Sequence, residues 1–165
     1  MVREDVLALA LGRRGFSFIE LVVTIAILAL ATAISMPSLL TYWSSATLRA
    51  AAEELAAGLN RGRQLAIAQG RSVCVEIVSG QYRYRTSPPG GGSACTSVDI
   101  WSGPGAGANG FFRLANNVAF TANANPVFDY LGAATPGATF TVTPPQGSAT
   151  LKVVVSVSGR VQITH

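Results

Sequence analysis

Residues 16–40, FSFIELVVTIAILALATAISMPSLL, form the one strongly apolar stretch of membrane-spanning length in the chain. Such a segment must be covered by lipid or by protein, so it decides what the rest can be. It carries a single ionisable group, Glu20. A polar leader precedes it and ends Gly12-Arg13-Arg14-Gly15, which puts positive charge on the cytoplasmic flank. Three readings compete. A cleaved secretory signal has support, because Ala29-Leu30-Ala31 and Ala31-Thr32-Ala33 each satisfy a small-x-small cleavage rule. An ordinary single-span anchor is the second. The third is a signal cut before the apolar segment, so that the segment is retained.

Glu20 discriminates among them. A carboxylate inside a hydrocarbon-spanning helix costs roughly 2.5–3.5 kcal/mol on insertion scales, and a plain signal or anchor has no use for it. Cutting after Gly15 would give Phe16 a new amino terminus, and a carboxylate one helical turn along can pair with that amine, in its own or a neighbouring subunit. The residues favour the third reading.

Gly15-Phe16-Ser17-Phe18-Ile19-Glu20-Leu21 resembles the signature of type IV prepilins and type II secretion pseudopilins: glycine before the cut, phenylalanine first in the mature chain, glutamate fifth. Pro37 and Tyr42 also fall where pilins commonly carry a proline and a tyrosine. The resemblance implies that a prepilin peptidase of the inner membrane cuts after Gly15 and methylates the amine of Phe16. It makes Gly15 and Phe16 processing residues, and Glu20 and Pro37 assembly residues.

Helical spacing continues past the apolar stretch. Leu48, Ala52, Leu55, Leu59 and Ala66 recur at three- and four-residue intervals or their sums, with Arg49, Glu53, Asn60 and Arg63 between them, and Gly70 supplies a stop. From Phe16 to Gln69 this is 54 residues, about 80 Å at ~1.5 Å per residue. Pro37 removes one helical hydrogen bond and is expected to bend or loosen the helix.

Short strands with turn punctuation follow, expected at Ser72–Ser79, Gln81–Thr86, Val98–Trp101, Phe111–Leu114, Val118–Thr121, Val127–Leu131, Thr139–Thr143, Leu151–Ser158 and Val161–Thr164. Ser79-Gly80 is expected to turn a hairpin and Pro88-Pro89-Gly90-Gly91-Gly92 to be a loop. The class is α+β, with an amphipathic helix packed on an antiparallel sheet. The segment Ala66-Ile67-Ala68-Gln69-Gly70-Arg71, the run Phe128-Asp129-Tyr130-Leu131-Gly132 and the late Val153-Val154-Val155-Ser156 and Ser158-Gly159-Arg160-Val161 resemble the GspH/FimT family of minor pilins and pseudopilins. The implied organisation is a leader over 1–15, a membrane or filament-core helix over 16–40, and a periplasmic head over 41–165, helical to about residue 69.

Catalysis finds no footing. The one histidine is His165, at the chain's end, so no Ser or Cys has a histidine partner in an ordered element. Two cysteines and that histidine meet no zinc spacing, and neither a metal nor a cofactor is expected. Gly105-Ala106-Gly107-Ala108-Asn109-Gly110 spells G-x-G-x-x-G, but a dinucleotide site needs a helix opening from the loop, and Phe111-Phe112-Arg113-Leu114 reads as a strand. Glu76, Asp99 and Asp129 are isolated in sequence, so no carboxylate pair can be argued.

In an exported head a disulfide between Cys74 and Cys95 is expected over two free buried thiols. Closing a loop of about 20 residues stabilises by roughly 3 kcal/mol in the chain-entropy model.

Net charge is +4, and beyond Trp43 nine Arg/Lys residues face five acids. That balance tolerates a polyanion partner without demanding one. Some FimT-like minor pilins assist DNA uptake through a basic Gly-Arg-x-Arg motif; Gly159-Arg160-Val161-Gln162 lacks the second arginine. Arg83 and Arg85 alternate with Tyr82 and Tyr84, so both arginines share one face of a strand, either as a basic strip or as a solvated face over inward tyrosines; with Arg160 they are the candidate DNA-binding residues.

The expected role is a minor pseudopilin of type II secretion, held in the bacterial inner membrane by a single pass and partnered by prepilin peptidase and other pseudopilin or pilin subunits. A FimT-like minor pilin with DNA as ligand is the alternative. A periplasmic binding module released by signal peptidase is the remoter one.

Overall fold

Glycine ends the long helix as the spacing requires. In the computed structural model, which describes residues 16–88, 94–145 and 149–164 (the side chains of Pro37 and Ala94 excepted), α1 runs Phe18–Gln69. Gly70 follows with φ +63°, and the Arg71 N–H bonds the Ala66 carbonyl at 3.2 Å. This left-handed closure satisfies a carbonyl that the helix end would otherwise orphan. The chain divides into two units between Leu40 and Thr41. The bend expected at Pro37 concerns a side chain outside the described residues, and so do the leader with Gly15, most of the Pro88–Gly92 loop and His165.

In the second unit, α1 buries the face carrying Leu48, Ala52, Leu55, Leu59 and Ala66. Each fully buried leucine is worth about 1.5–3 kcal/mol. The strands form two four-stranded antiparallel sheets in place of the one expected. The strands are β1 (Val73–Val78), β2 (Gln81–Thr86), β3 (Ile100–Trp101), β4 (Ala119–Ala122), β5 (Val127–Phe128), β6 (Ala138–Thr143), β7 (Leu151–Val155) and β8 (Val161–Thr164). Their orders are β3-β2-β1-β5 and β4-β6-β7-β8. Both sheets contribute to one apolar core: Tyr84 and Phe128 from the first, Phe120, Phe140 and Val153 from the second. Glycines let the helix approach the first sheet closely. A Cβ on Gly58 would stand 2.4 Å from the Tyr82 hydroxyl oxygen, and the Tyr84 hydroxyl donates to the Gly58 carbonyl at 2.7 Å. Burial raises the pKa of both tyrosines, so each stays a neutral donor.

Val98–Trp101 keeps only Ile100–Trp101 as a strand, and three other expected strands are cut short, each for a local reason. Phe111–Leu114 makes only a bridge, with Tyr82 and Phe112 exchanging bonds of 2.8 and 3.1 Å. Gly110 before it and Asn116 and Asn117 after it have positive φ, which no extended strand allows. Val127–Leu131 stops at Phe128, because Asp129 Oδ1 accepts the N–H groups of Leu131 (2.9 Å) and Ala133 (2.8 Å) and turns the chain. Leu151–Ser158 stops at Val155, where Ser156–Arg160 form a hairpin turn with Gly159 at φ +76°.

Candidate functional site

The N-terminal unit begins at the segment expected to be processed. The Ser17 carbonyl accepts the N–H groups of Glu20 (3.0 Å) and Leu21 (3.1 Å), so Ser17 opens α1 and Glu20 lies in its first turn. A carboxylate there is favoured by the partial positive charge of the helix N-terminus. Ser17-Phe18-Ile19-Glu20 also has the spacing of a capping box, a local role that the sequence reading did not weigh.

Phe18–Met36 has a mean hydropathy of 2.3 and no buried side chain, and by length and composition it can cross a membrane. Its few hydroxyls fold back: Thr24, Thr32 and Ser35 donate to the carbonyls of Leu21, Ala29 and Ala31 at 2.8–2.9 Å. No polar side chain except Glu20 is then left needing water.

On the head, the hairpin places Cys74, Glu76, Arg83 and Arg85 on the face of the first sheet opposite the tyrosines. Glu76 faces Arg83 across the ladder, and its Oε2 accepts from the Nε of Arg83 and, at 2.6 Å, from the Nε of Arg85. Arg85 also donates to the Ser97 carbonyl, and Arg83 stacks on Phe111 at 4.5 Å. The two arginines are only 14% and 17% exposed, so this face is not the solvated one the alternation suggested. Burial pushes the Glu76 carboxyl up, but the hydrogen bonds and charges of both arginines outweigh it and hold the pKa below the usual carboxylate value.

Sequence reasoning left Glu76 isolated. The signal was nevertheless present: a two-residue turn at Ser79-Gly80, with φ of +50° and +72°, sets residues 76 and 83 opposite each other. A depressed carboxylate pKa stabilises the fold above its unfolded value, and that contribution is lost as pH falls through the lowered folded value. Glu76→Gln is therefore expected to lower stability at neutral pH by roughly 2 kcal/mol, the order of charge-assisted hydrogen bonds, and to flatten the acid limb of the stability–pH curve. Urea midpoints measured from pH 2 to 7 would check both.

Cys74 and Cys95 are joined, their Cα atoms 5.0 Å apart, which holds the Ala94–Thr96 turn against β1. Arg160 is exposed in the turn just before β8, and with the Gln162 amide correctly oriented its Nη2 and Nε donate to that side chain at 3.0 and 3.3 Å. The structure therefore unites Arg83 and Arg85 around Glu76. Among the described residues, no group of three or more metal-ligating side chains converges.

An uncovered apolar helix with an acid in its first turn, and a head in which a helix packs on antiparallel sheets, define a pilin-like subunit. The family described as type II transport protein GspH matches residues 51–159, and the prokaryotic N-terminal methylation motif matches residues 10–36. The chain belongs to the GspH family. No curated protein matches it significantly. Two structures of the minor pseudopilin EpsH from the type II secretion system of Vibrio cholerae resemble it with TM-scores of 0.53 and 0.52 at 13% and 12% identity. Each spans 71% of this chain, and 92% and 95% of EpsH. The Pseudomonas aeruginosa type IV minor pilin FimU aligns at 20% identity with a TM-score of 0.48, over 72% of this chain and 88% of its own. The EpsH comparisons show the shared fold, and the family gives the chain a type II secretion or type IV pilin-like role.

Proposed function

We propose that the protein is a minor pseudopilin of a type II secretion system, built into a pseudopilus through its N-terminal helix. The observation that carries the reading is the Phe18–Met36 helix, apolar and without one buried side chain, headed by a carboxylate in its first turn. Lipid covers that surface before assembly, and neighbouring helices cover it in the filament core. Prepilin peptidase cuts after Gly15 and methylates Phe16, and Glu20 neutralises an N-terminal amine when subunits stack. Pro37 loosens the helix for packing. The head faces the periplasm and makes the specific subunit contacts.

Two observations weigh against DNA as the ligand of this chain. Arg83 and Arg85 share one carboxylate, and Arg160 is engaged by a glutamine where the uptake motif has an arginine. Both reduce the free positive charge available to phosphates.

Glu20→Ala is expected to leave membrane insertion intact or improved, since it removes a cost of roughly 2.5–3.5 kcal/mol. Recovery of the chain in sheared filaments should fall about tenfold or more, the consequence of losing ~1.4 kcal/mol or more of pairing. Immunoblots of membranes and of sheared filaments read the two quantities separately. Undiminished incorporation would overturn the pairing role, and a native N-terminus within residues 30–36 would overturn the retained anchor.

A further inference from the structure

The head carries two surfaces that its own fold leaves unfinished. The first is assembled from three elements. Ile67 near the end of α1, Tyr130 and Leu131 in the β5–β6 connection and Val157 in the β7–β8 turn are all exposed, Leu131 and Val157 by 70% and 68%. Glycines draw these elements together: a Cβ on Gly132 would lie 2.9 Å from Ile67 Cδ1, and one on Gly159 would lie 1.8 Å from the Gly132 carbonyl oxygen. Arg63 is packed beneath, its Nε close to Gly132, buried and without an acceptor. Among the described residues its guanidinium makes no hydrogen bond or ion pair. Asp129, three residues before Gly132, already accepts two backbone N–H groups.

The second surface has the opposite chemistry. Val98 is 88% exposed, Ile100 is exposed beside it, and Asp99 lies between them. The Asp99 backbone is anchored, with its N–H donating to Ser97 Oγ and its carbonyl accepting from the Thr86 N–H at 2.9 Å. Its carboxylate has no partner among the described residues. An acid between two β-branched side chains thus stands on a fixed turn, while an apolar patch with an unpaired guanidinium waits elsewhere on the same head.

The two cannot meet within one copy. Val98–Asp99 lead into β3 and Tyr130–Gly132 leave β5, and these strands are the opposite edges of the first sheet. Three strand spacings, about 14 Å, separate them. We propose that Val98-Asp99-Ile100 of one copy docks on the Ile67–Leu131–Val157 patch of the next, with Asp99 reaching Arg63. The occupant is a second copy of this chain, chosen by the complementarity of an acid flanked by apolar residues to a cation flanked by apolar residues. The contact joins two different surfaces, so it is head-to-tail. It rests on the reading of the chain as a filament subunit, and gives the head a contact independent of the N-terminal helix.

The test uses the full-length chain in membranes, with the photoreactive residue introduced as Leu131→p-benzoylphenylalanine. Irradiation is expected to give a dimer whose cross-linked peptide contains Val98–Ile100. Asp99→Arg or Arg63→Asp should each lower the dimer yield about tenfold, and the two combined in one chain should restore it. Val98→Asp, at a fully surface position, serves as the variant that cannot act through misfolding and should also abolish the dimer. Cross-links to another protein or to DNA, or yields indifferent to Asp99 and Val98, would overturn the proposal. Sheared filaments from the same cells separate the two readings. Absence of the cross-link from the otherwise wild-type Leu131→p-benzoylphenylalanine chain, with incorporation intact, sinks this contact alone; a cross-link without incorporation sinks the filament reading and leaves self-association standing.

Discussion

Phe128→Ala is expected to destabilise the head by about 3–5 kcal/mol, the range for removing a fully buried aromatic side chain from a packed core. Phe128 is completely buried, pairs with Val73 across β1 and β5, and bridges to Ala134. Its ring thus fills the core at the point where the first sheet ends and the 129–132 turn begins. Against a total stability of about 5–15 kcal/mol, the loss is a large share of what holds the head together. Urea unfolding of the full-length protein in detergent, followed by tryptophan emission, should show the midpoint falling by about 1.5–2.5 M at an m-value of about 2 kcal/mol/M. A shift under 0.5 M would show that the site relaxes and that the core does not depend on the Phe128 ring.

Replacing both Cys74 and Cys95 with alanine should cost about 3 kcal/mol, the chain-entropy value for a loop of the 21-residue separation between them. For a head of this size that is a fall in Tm of about 10 °C. The cross-link is not the sole tie on this segment: Arg85 donates to the Ser97 carbonyl, and the Asp99 carbonyl accepts from Thr86. The 94–99 segment should therefore stay docked in the variant at low temperature and come loose first on heating. Reductant added to the wild-type protein should lower Tm by a similar amount, with no further effect on the variant. Equal Tm values for oxidised wild type and variant would mean that the bond contributes nothing to the folded head. Two alkylatable thiols in unreduced protein would mean that it does not form.

The long helix was legible because its cause is local. Apolar residues at helical spacing, a stop at Gly70 and a single acid in an apolar field are properties of the chain read in order. So was the β1–β2 hairpin, whose two-residue turn sets its own register. The family followed from the motif around Gly15, Phe16 and Glu20 without any knowledge of packing.

Other features lay beyond that reading, because they depend on contacts between residues far apart in sequence. The split into two sheets follows from which strand edges meet. Phe111–Leu114 has the composition of a strand, but positive-φ residues on both sides leave it one bridge. The isolation of Glu76 in sequence vanished once the hairpin closed, and the apparent basic strip became a nearly buried ion cluster.

By itself, the order of residues determined that this chain carries a lipid-length helix headed by an acid and an α+β head after it. Periodicity and turn chemistry act over a few residues, and both survive without a fold. Only the tertiary structure decided that Arg83 and Arg85 are neutralised while, among the described residues, Arg63 and Asp99 are not. Whether a charge finds a partner depends on which distant segments the core brings within about 3 Å of it.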